Sequence, residues 1–497
     1  MSTTASPTTL IPVAATSTLA STSRFTGLSV HFVGIGGCGM SGLARMLHQS
    51  DATCTGSDSV QSELTDALRQ NGIPISYEQS AAQFPGQCDM VIASAAIKPD
   101  HPELLVAQER GINIVTYSEA LGMLQIDRTG ICLAGTHGKS TTSAILCHAL
   151  METGLDPSFI IGATCHQIGG GSRVGSMTIA NGPWAGKPGV LVCEACEFNR
   201  SFHNHRPTIG LINNIEEDHL DIYGSLDAII EAFADFARLI PSAEAGGRLL
   251  IAHEGAHRRE VASGLACKVE TFGFNPEADY QVTYDVSSRC VTLAHDGSTL
   301  GSWTIVLPGA HNAMNYAAAA ILAHWFGADW PTLAKALESF QGIERRTQRL
   351  GTRVVEGGGV VVYDDYGHHP TEIEKTLKAL RDFEKPKRLI CVFQPHQHSR
   401  TRFLLDQFAQ SFSSADEVIV PHIYFVRDSE MEKTKVSARD LVDRLRSRDI
   451  SARHLYPFEA IVDYLEAVCR DGDLVVIMGA GPVWQIAKQF YEGSGSC

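Results

Sequence analysis

The sequence predicts a three-domain α/β protein built on three mainly parallel sheets. Three observations carry this. The chain has 497 residues, enough for about three domains. Short apolar runs recur along it, spaced as in βα units on parallel sheets. Two of those runs end in glycine loops that open helices, at Gly34–Gly39 and Gly135–Ser140.

Composition narrows the function classes. Apolar residues make up 44% and charged residues 19%, the proportions of a soluble globular protein. The formal net charge is −15. A surface that acidic argues against general nucleic-acid or anionic-membrane binding, so a phosphate site has to be a local basic pocket. No apolar stretch approaches the length of a membrane helix. Thirteen cysteines are scattered without a disulfide framework, as suits a reducing cytoplasm. Cys193 and Cys196 form a lone C-x-x-C with no second pair, which argues against zinc. Residues 1–24 are rich in Ser, Thr and Ala, and Arg24 is the first basic residue. They read as a disordered tail rather than a secretory signal.

The first folded segment opens with a strand over Leu28–Val33 that runs into Gly34-Ile35-Gly36-Gly37-Cys38-Gly39 and a helix. This G-x-G-x-x-G is followed by a strand-like run over Thr53–Gly56 and by Asp58, the spacing of a dinucleotide fingerprint. The segment is therefore Rossmann-like, with Asp58 placed for a ribose hydroxyl. Two readings stand at this point: a dehydrogenase, or a tight turn that binds nothing. Asp89–Ser94 and Gly111–Val115 read as further strands, with Pro99 and Pro102 breaking the loop between them. The segment ends near Asp127.

The second segment starts with the apolar run Ile131–Ala134 and the loop Gly135-Thr136-His137-Gly138-Lys139-Ser140-Thr141. Strand, glycine loop, Lys-Ser and helix form a P-loop-type arrangement. Its backbone N–H groups and helix N-terminus cradle phosphates, Lys139 reaches the terminal phosphates, and the Ser140 hydroxyl can ligate Mg²⁺. Leu133 stands where the full Walker pattern wants glycine. The helix is read with Ala144, Ile145, His148 and Ala149 on one side and Gly154 as its stop. Strands over Gly189–Glu194 and Thr208–Asn214 follow, the first ending in Glu194 with Glu197 behind it, the second leading to Asp218-His219. Ligands bind at that edge of an open α/β sheet. Glu194 and His219 beside a triphosphate are candidate Mg²⁺ ligands or water holders; taken singly, they read as an exposed strand end and a helix cap. Asn312 and Asn315 open another helix, where their amides suit an adenine edge or a cap.

The third segment begins near Arg345-Arg346 and Arg349, a phosphate or carboxylate clamp or else a solvated face. Strands over Val360–Asp365, Arg388–Phe393, Val418–Val420 and Leu474–Met478 give a third, Rossmann-like domain. His368, His369, His396 and His398 gather at strand ends with Arg400 and Arg402. Without metal-ligand spacing or a cysteine partner, they suit anion and carboxylate contacts better than zinc.

In this order the motifs resemble those of the Mur ligases, from Gly34 to the end of the chain. Gly135–Ser140 satisfies the family's G-T-x-G-K-[ST], which accounts for Leu133. Asn214-Ile215-Glu216 with Asp218-His219 and Asp221 matches N-I-E-x-D-H-x-D. Gly309 with His311-Asn312 and Asn315 matches G-x-H-N-x-x-N. Asp364-Asp365-Tyr366 with His368–Glu372 matches D-D-Y-x-H-H-P-T-E, and Phe393–His396 with Ser399-Arg400-Thr401 matches F-Q-P-H-x-x-S-R-T.

The resemblance implies a UDP-sugar domain over 25–126, an ATP-binding ligase domain over 127–345 and an amino-acid domain over 346–497. It implies ATP and Mg²⁺, with UDP-N-acetylmuramate and L-alanine as substrates, in a cytoplasmic monomer or weak homodimer that makes peptidoglycan precursors. The UDP-sugar would lie on Gly34, Gly36, Gly37, Gly39, Met40, Ser41, Asp58 and Ser94, with His396 as a further substrate contact. ATP would lie on Gly135–Thr141, Asn312 and Arg346, and Mg²⁺ on Ser140, Glu194 and His219. Lys139, His219, Arg400 and His369 would be catalytic.

The chain departs from the family at Cys196 within Glu194–Glu197, at Gln397-His398 in place of Arg-Tyr, and at His101 in place of Asn. No lysine occurs between Lys187 and Lys268, so the carbamoylated lysine of several sister ligases is absent. The nearest rival is a recycling ligase that adds a preformed tripeptide to the same sugar nucleotide. Folylpolyglutamate synthases, a non-catalytic nucleotide-binding regulator and a dehydrogenase fit fewer of the motifs.

Overall fold

The computed structural model describes residues 23–493 except Ala256 and Arg427. The expected disordered tail lies, up to residue 22, outside the described residues. Among the described residues the strands form three sheets.

The first sheet has the order Ile75–Ser76, Thr53–Ser57, Ser29–Val33, Met90–Ala93, Asn113–Thr116 and is parallel throughout. The order runs outward in both directions from Ser29–Val33. The C-terminal end of that strand is therefore a switch point, and the first glycine loop starts there. The helix Cys38–Gln49 then buries Met40, Leu43, Ala44, Met46 and Leu47.

The second sheet centres on Thr129–Ala134, flanked by Val190–Glu194 and Ile209–Ile212, all parallel and wholly or almost wholly buried. Continuous apolar runs suit strands covered on both faces. Ser158–Ile160 with Ser172–Arg173 closes one side, and Arg248–Ala252, Lys268–Gly273, Tyr280–Asp285, Cys290–His295 and Ser298–Thr304 extend the other. The last two are antiparallel hairpin strands. The helix Lys139–Glu152 packs against Ala310–Trp325, whose run Ala317–Ala320 brings the two axes close.

The third sheet has the order Gln348–Val355, Gly358–Asp365, Asp473–Met478, Arg388–Phe393, Glu417–Val420, Ser451–His454. Only its first pair is antiparallel.

Several local expectations change. Pro102 does not merely break a loop; it is the first residue of the helix Pro102–Glu109, where its missing N–H costs nothing. The helix after the phosphate loop is buried on every side from Ser140 to Leu150 rather than on one face, and Gly154 ends it as expected, taking φ 81° directly after the C-cap Thr153. The strands at 248–304, Gln348–Val355 and Ser451–His454 had no counterpart in the sequence reading. No described helix is long and apolar enough to cross a membrane.

Candidate active site

The phosphate loop leaves the C-terminal end of Thr129–Ala134 and is fixed by the neighbouring strand's exit. Asn214 accepts from the His137 N–H at 2.8 Å and donates to the His137 carbonyl at 3.2 Å. The Glu216 N–H donates to Thr136 Oγ1 at 2.9 Å. Gly138 has φ 83°, and a Cβ there would stand 2.6 Å from Asn315 Oδ1, so this position requires glycine on two counts. No side chain caps the helix Lys139–Glu152. Its first N–H groups therefore face the space where a phosphate would lie.

Lys139 folds back over the loop. Its ammonium donates to the Gly135 carbonyl, to the Thr136 carbonyl at 3.2 Å and to Glu197 at 2.9 Å. Burial lowers its pKa, but Glu197 outweighs that and holds it above the usual lysine value. Lys139 is thus a permanent cation held by a carboxylate.

The predicted metal set divides. Ser140 Oγ donates to Glu194 at 3.0 Å, and Glu194 also accepts the Gly162 N–H. His219 gathers instead with Glu197 and Asp218, with one ligand atom from each within 4.8 Å of the others. Glu197 stands behind Glu194 in the sequence and is not among the three expected ligands, yet it is the glutamate beside His219. The reason lies in the backbone: Asn199 and Arg200 take φ 51° and 54° inside a tight turn, so this segment is bent sharply just beyond Glu197. Burial holds the His219 pKa below its ordinary value, so the ring is neutral and able to ligate. Two carboxylates and a neutral imidazole suit a hard divalent cation. A second group, His137 with Glu216 and His369, is already committed. His369 Nδ1 accepts the Thr371 N–H, so its Nε2 must carry the proton given to the Glu217 carbonyl at 3.0 Å. That leaves His369 no lone pair for a metal or for general-base work. It caps the helix Pro370–Glu384 and is a positioning residue, not a catalytic one.

The third domain delivers Arg400. Its guanidinium donates to Asp218 at 2.9 Å, and both side chains are buried. Burial pushes the Asp218 carboxyl up, but the Arg400 guanidinium outweighs that and holds it well below the usual carboxylate range. His396 lies within 3.5 Å of Arg400 and its ring faces Tyr424. His398 turns away towards Asp428 and Phe425, and His369 faces His137 with ring centres 4.8 Å apart. The four histidines do not form one zinc cluster. Nor do Cys193 and Cys196: burial pushes their thiols up to about 12 and about 11, and all twelve described cysteines are free.

A cavity of about 740 Å³ opens beside the loop between the second and third domains. Phe272, Phe274, Tyr284 and Phe383 supply its apolar walls, and His137, Gly138, Arg346 and Lys375 its polar end. An aromatic-walled cleft leading to a glycine loop suits a purine nucleotide. Asn312 lines it, but its amide already donates to the Pro308 carbonyl at 2.8 Å and accepts from Asn315 at 3.1 Å. These bonds hold the amide in place at the cavity wall and leave it one N–H and one lone pair; Gly309, not Asn312, caps its helix. The three arginines do not make one clamp. Arg346 stacks on Tyr366 at the cavity, Arg345 donates to the Gly479 carbonyl, and Arg349 pairs with Glu384 on the edge strand.

The first loop lies in the first domain, and none of its residues lines this cavity. Gly34 has φ 80° and lies against Ser94, where a Cβ would come within 3.0 Å of the serine Cβ. Gly39 lies against the Tyr117 ring, and Gly37 opens the helix without a side-chain cap. Asp58 accepts the Gly36 N–H at 2.8 Å and the Val60 N–H at 3.1 Å, so it braces the loop. Met40 is buried in the first core, and Ser41 is buried with its hydroxyl on the Cys38 carbonyl. Both side chains point into the core, while the Met40 N–H belongs to the first turn of the uncapped helix.

Comparison with known proteins accounts for this arrangement. The Mur ligase family catalytic domain model matches residues 29–128, the Mur ligase middle domain model 133–323, and the Mur ligase glutamate ligase domain model 345–481. The UDP-N-acetylmuramate--L-alanine ligase of Caldanaerobacter subterraneus is 36% identical over 93% of this chain and 97% of its own. That of Desulfitobacterium hafniense is 36% identical over 93% and 99%. Among solved structures, the UDP-N-acetylmuramate-alanine ligase of Thermotoga maritima superposes with a TM-score of 0.75 at 26% identity, covering 94% of this chain and 98% of that one. The murein peptide ligase of Psychrobacter arcticus shares the fold, with a TM-score of 0.69 at 24% identity over 93% and 98%. With three family models in sequence and relatives matched over nearly their whole length, the chain belongs to the Mur ligase family.

Proposed function

We propose that this chain joins L-alanine to the carboxylate of UDP-N-acetylmuramate at the expense of ATP, in the assembly of peptidoglycan precursors. The observation that carries the reading is the junction of Lys139, Glu197, His219, Asp218 and Arg400, where second-domain phosphate chemistry meets a third-domain arginine. Relatives named for this reaction, 36% identical over 93% of the chain, support it.

The first glycine loop takes the sugar nucleotide's diphosphate, and the cavity beside the second loop takes ATP. The sugar carboxylate attacks the γ-phosphorus and ADP leaves, forming an acyl phosphate. The alanine amine then attacks the acyl carbon, loses a proton, and expels inorganic phosphate. Negative charge grows on phosphoryl oxygens in the first step and on the acyl oxygen in the second. Lys139, once the triphosphate draws it from Glu197, and Arg400 are the cations placed to meet it. Glu197 and His219 are the residues that fit Mg²⁺, which would neutralise and orient the phosphate oxygens when bound. The seated third domain shields the acyl phosphate from water.

The test is phosphate release from ATP with UDP-N-acetylmuramate and, separately, L-alanine, glycine, L-serine or the tripeptide of the recycling ligase. Release with L-alanine is expected. Release with the tripeptide alone would assign the chain to the recycling reaction.

A further inference from the structure

His137 occupies the position of the phosphate loop that the family pattern leaves open, yet it has the most interdomain contacts of the loop. Its Nδ1 lies 3.1 Å from Glu372 on the first turn of the third-domain helix Pro370–Glu384. Its Nε2 lies 3.4 Å from Glu216 in the second domain. The same two carboxylates are held from both sides. Glu216 accepts from third-domain Thr371 Oγ1 at 2.5 Å and has Lys375 at 3.8 Å. Glu372 accepts the His368 N–H at 3.0 Å and has Arg346 at 3.9 Å. His369 lies against the His137 ring, tilted by 46° to it, and donates to the Glu217 carbonyl. The His137 backbone cannot give way, because Asn214 holds both its N–H and its carbonyl.

We propose that His137 is a positioning residue for the ligation reaction: bridging Glu216 and Glu372, it ties the seating of the third domain to the shape of the phosphate loop two residues before Lys139. Nothing in phosphate binding asks for an imidazole here, since the loop binds phosphates through backbone N–H groups and Lys139. A ring between two carboxylates on different domains fits a different task. While the third domain is down, the loop is clamped and Arg400 stands at Asp218; when it lifts, both contacts go together. The charge agrees with this. Burial lowers the His137 pKa, but Glu372 and Glu216 outweigh it and raise the value to about 9, so the bridge is ionic at neutral pH. The groups facing the ring are Glu216 and Glu372, with His369 against it and Lys375 and Arg346 behind the carboxylates.

The turnover arm of the test rests on the proposed reaction; the scattering arm does not. His137→Gln, Glu372→Gln and the double variant are compared with the wild type. Small-angle scattering is recorded with a non-hydrolysable ATP analogue and Mg²⁺, and steady-state rates with UDP-N-acetylmuramate and L-alanine. Each single variant is expected to have a larger radius of gyration and a kcat lower by about tenfold, the loss of one charge-assisted contact. The KM for the sugar nucleotide, bound on the first domain, should stay within about twofold. The double variant should be no worse than about twofold beyond the worse single, because both changes break one link. Wild-type radii in both singles, or single effects that multiply in the double, would overturn the proposal. If His137→Gln does not fold, Glu372→Gln on the third domain carries the scattering test alone. A wild type that releases no phosphate would fail the proposed reaction while leaving the scattering result to decide the coupling.

Discussion

The chain contains two strand–glycine loop–helix units, and they differ in what surrounds the same backbone device. Both helices begin without a side-chain cap or an acidic residue in the first turn, so both offer N–H groups and partial positive charge to an anion. Around the first loop the one charged side chain bonded to the backbone is Asp58, which takes the Gly36 N–H. The second loop carries Lys139 and His137, and carboxylates from two domains, Glu197, Glu216 and Glu372, pair with them. A loop that only holds a diphosphate needs shape and N–H donors. A loop that must release and then restabilise charge during transfer needs mobile cations with partners to hold them between turnovers.

The largest way to sharpen this contrast is Lys139→Ala. Turnover should fall by about 10³-fold, while calorimetric binding of the sugar nucleotide to the first domain stays near wild type. Equal losses in both would mean that the two loops are not divided as described. The next effect separates two glutamates three residues apart. Glu197 pairs with Lys139 and shares a cluster with His219, whereas Glu194 accepts from Ser140 and Gly162. Glu197→Gln should lower kcat by about 10²-fold and raise the Mg²⁺ concentration needed for half-maximal rate. Glu194→Gln should cost under about tenfold and leave the Mg²⁺ requirement nearly unchanged. The reverse order in a magnesium titration would return Glu194 to the metal set.

The third effect is pH dependence at the second loop. His137 has a folded pKa raised to about 9 against an ordinary 6.5. The folded state therefore binds its proton more tightly than the unfolded chain does. That stabilisation is present in full below about 6.5 and fades as pH rises through about 9. The difference in melting temperature between wild type and His137→Gln should be largest near pH 6 and vanish above pH 9 or so. A difference that grows with pH would mean the ring is neutral in the fold.

What could be read from the sequence follows from the same contrast. Glycine loops, the Lys-Ser pair and carboxylates at the ends of apolar runs were legible because backbone geometry and strand-end placement are local properties. The edge strands Tyr280–Asp285 to Ser298–Thr304 were not, since their buried residues, among them Tyr280, Val282, Val291, Leu293 and Trp303, stand singly between more exposed ones and give no continuous apolar run. The bonds that orient the Asn312 amide, to Pro308 and Asn315, could not be read from its place in the motif. Met40 and Ser41 follow the glycines in sequence, but helical rotation turns them into the core. The His137–Glu372 contact spans 235 positions, and no spacing rule reaches that far.

The smallest effect tests the first loop. Asp58 holds Gly36 by a carboxylate–amide bond at 2.8 Å, and a Cβ on Gly36 would stand 2.8 Å from the same oxygen, so the loop is packed against its brace. Asp58→Asn keeps the shape but turns a charge-assisted bond into a neutral one, a loss of about 1 kcal/mol. It also removes a negative charge from beside a diphosphate site, which favours anion binding. The two terms oppose each other. Because Asp58 touches the loop's backbone directly while solvent at this half-buried side chain screens its charge from a ligand, the bond should win. The KM for the sugar nucleotide should rise by about threefold to fivefold with kcat unchanged. A KM that falls would show that the charge term dominates, and that the first loop, like the second, is tuned by charge rather than by shape.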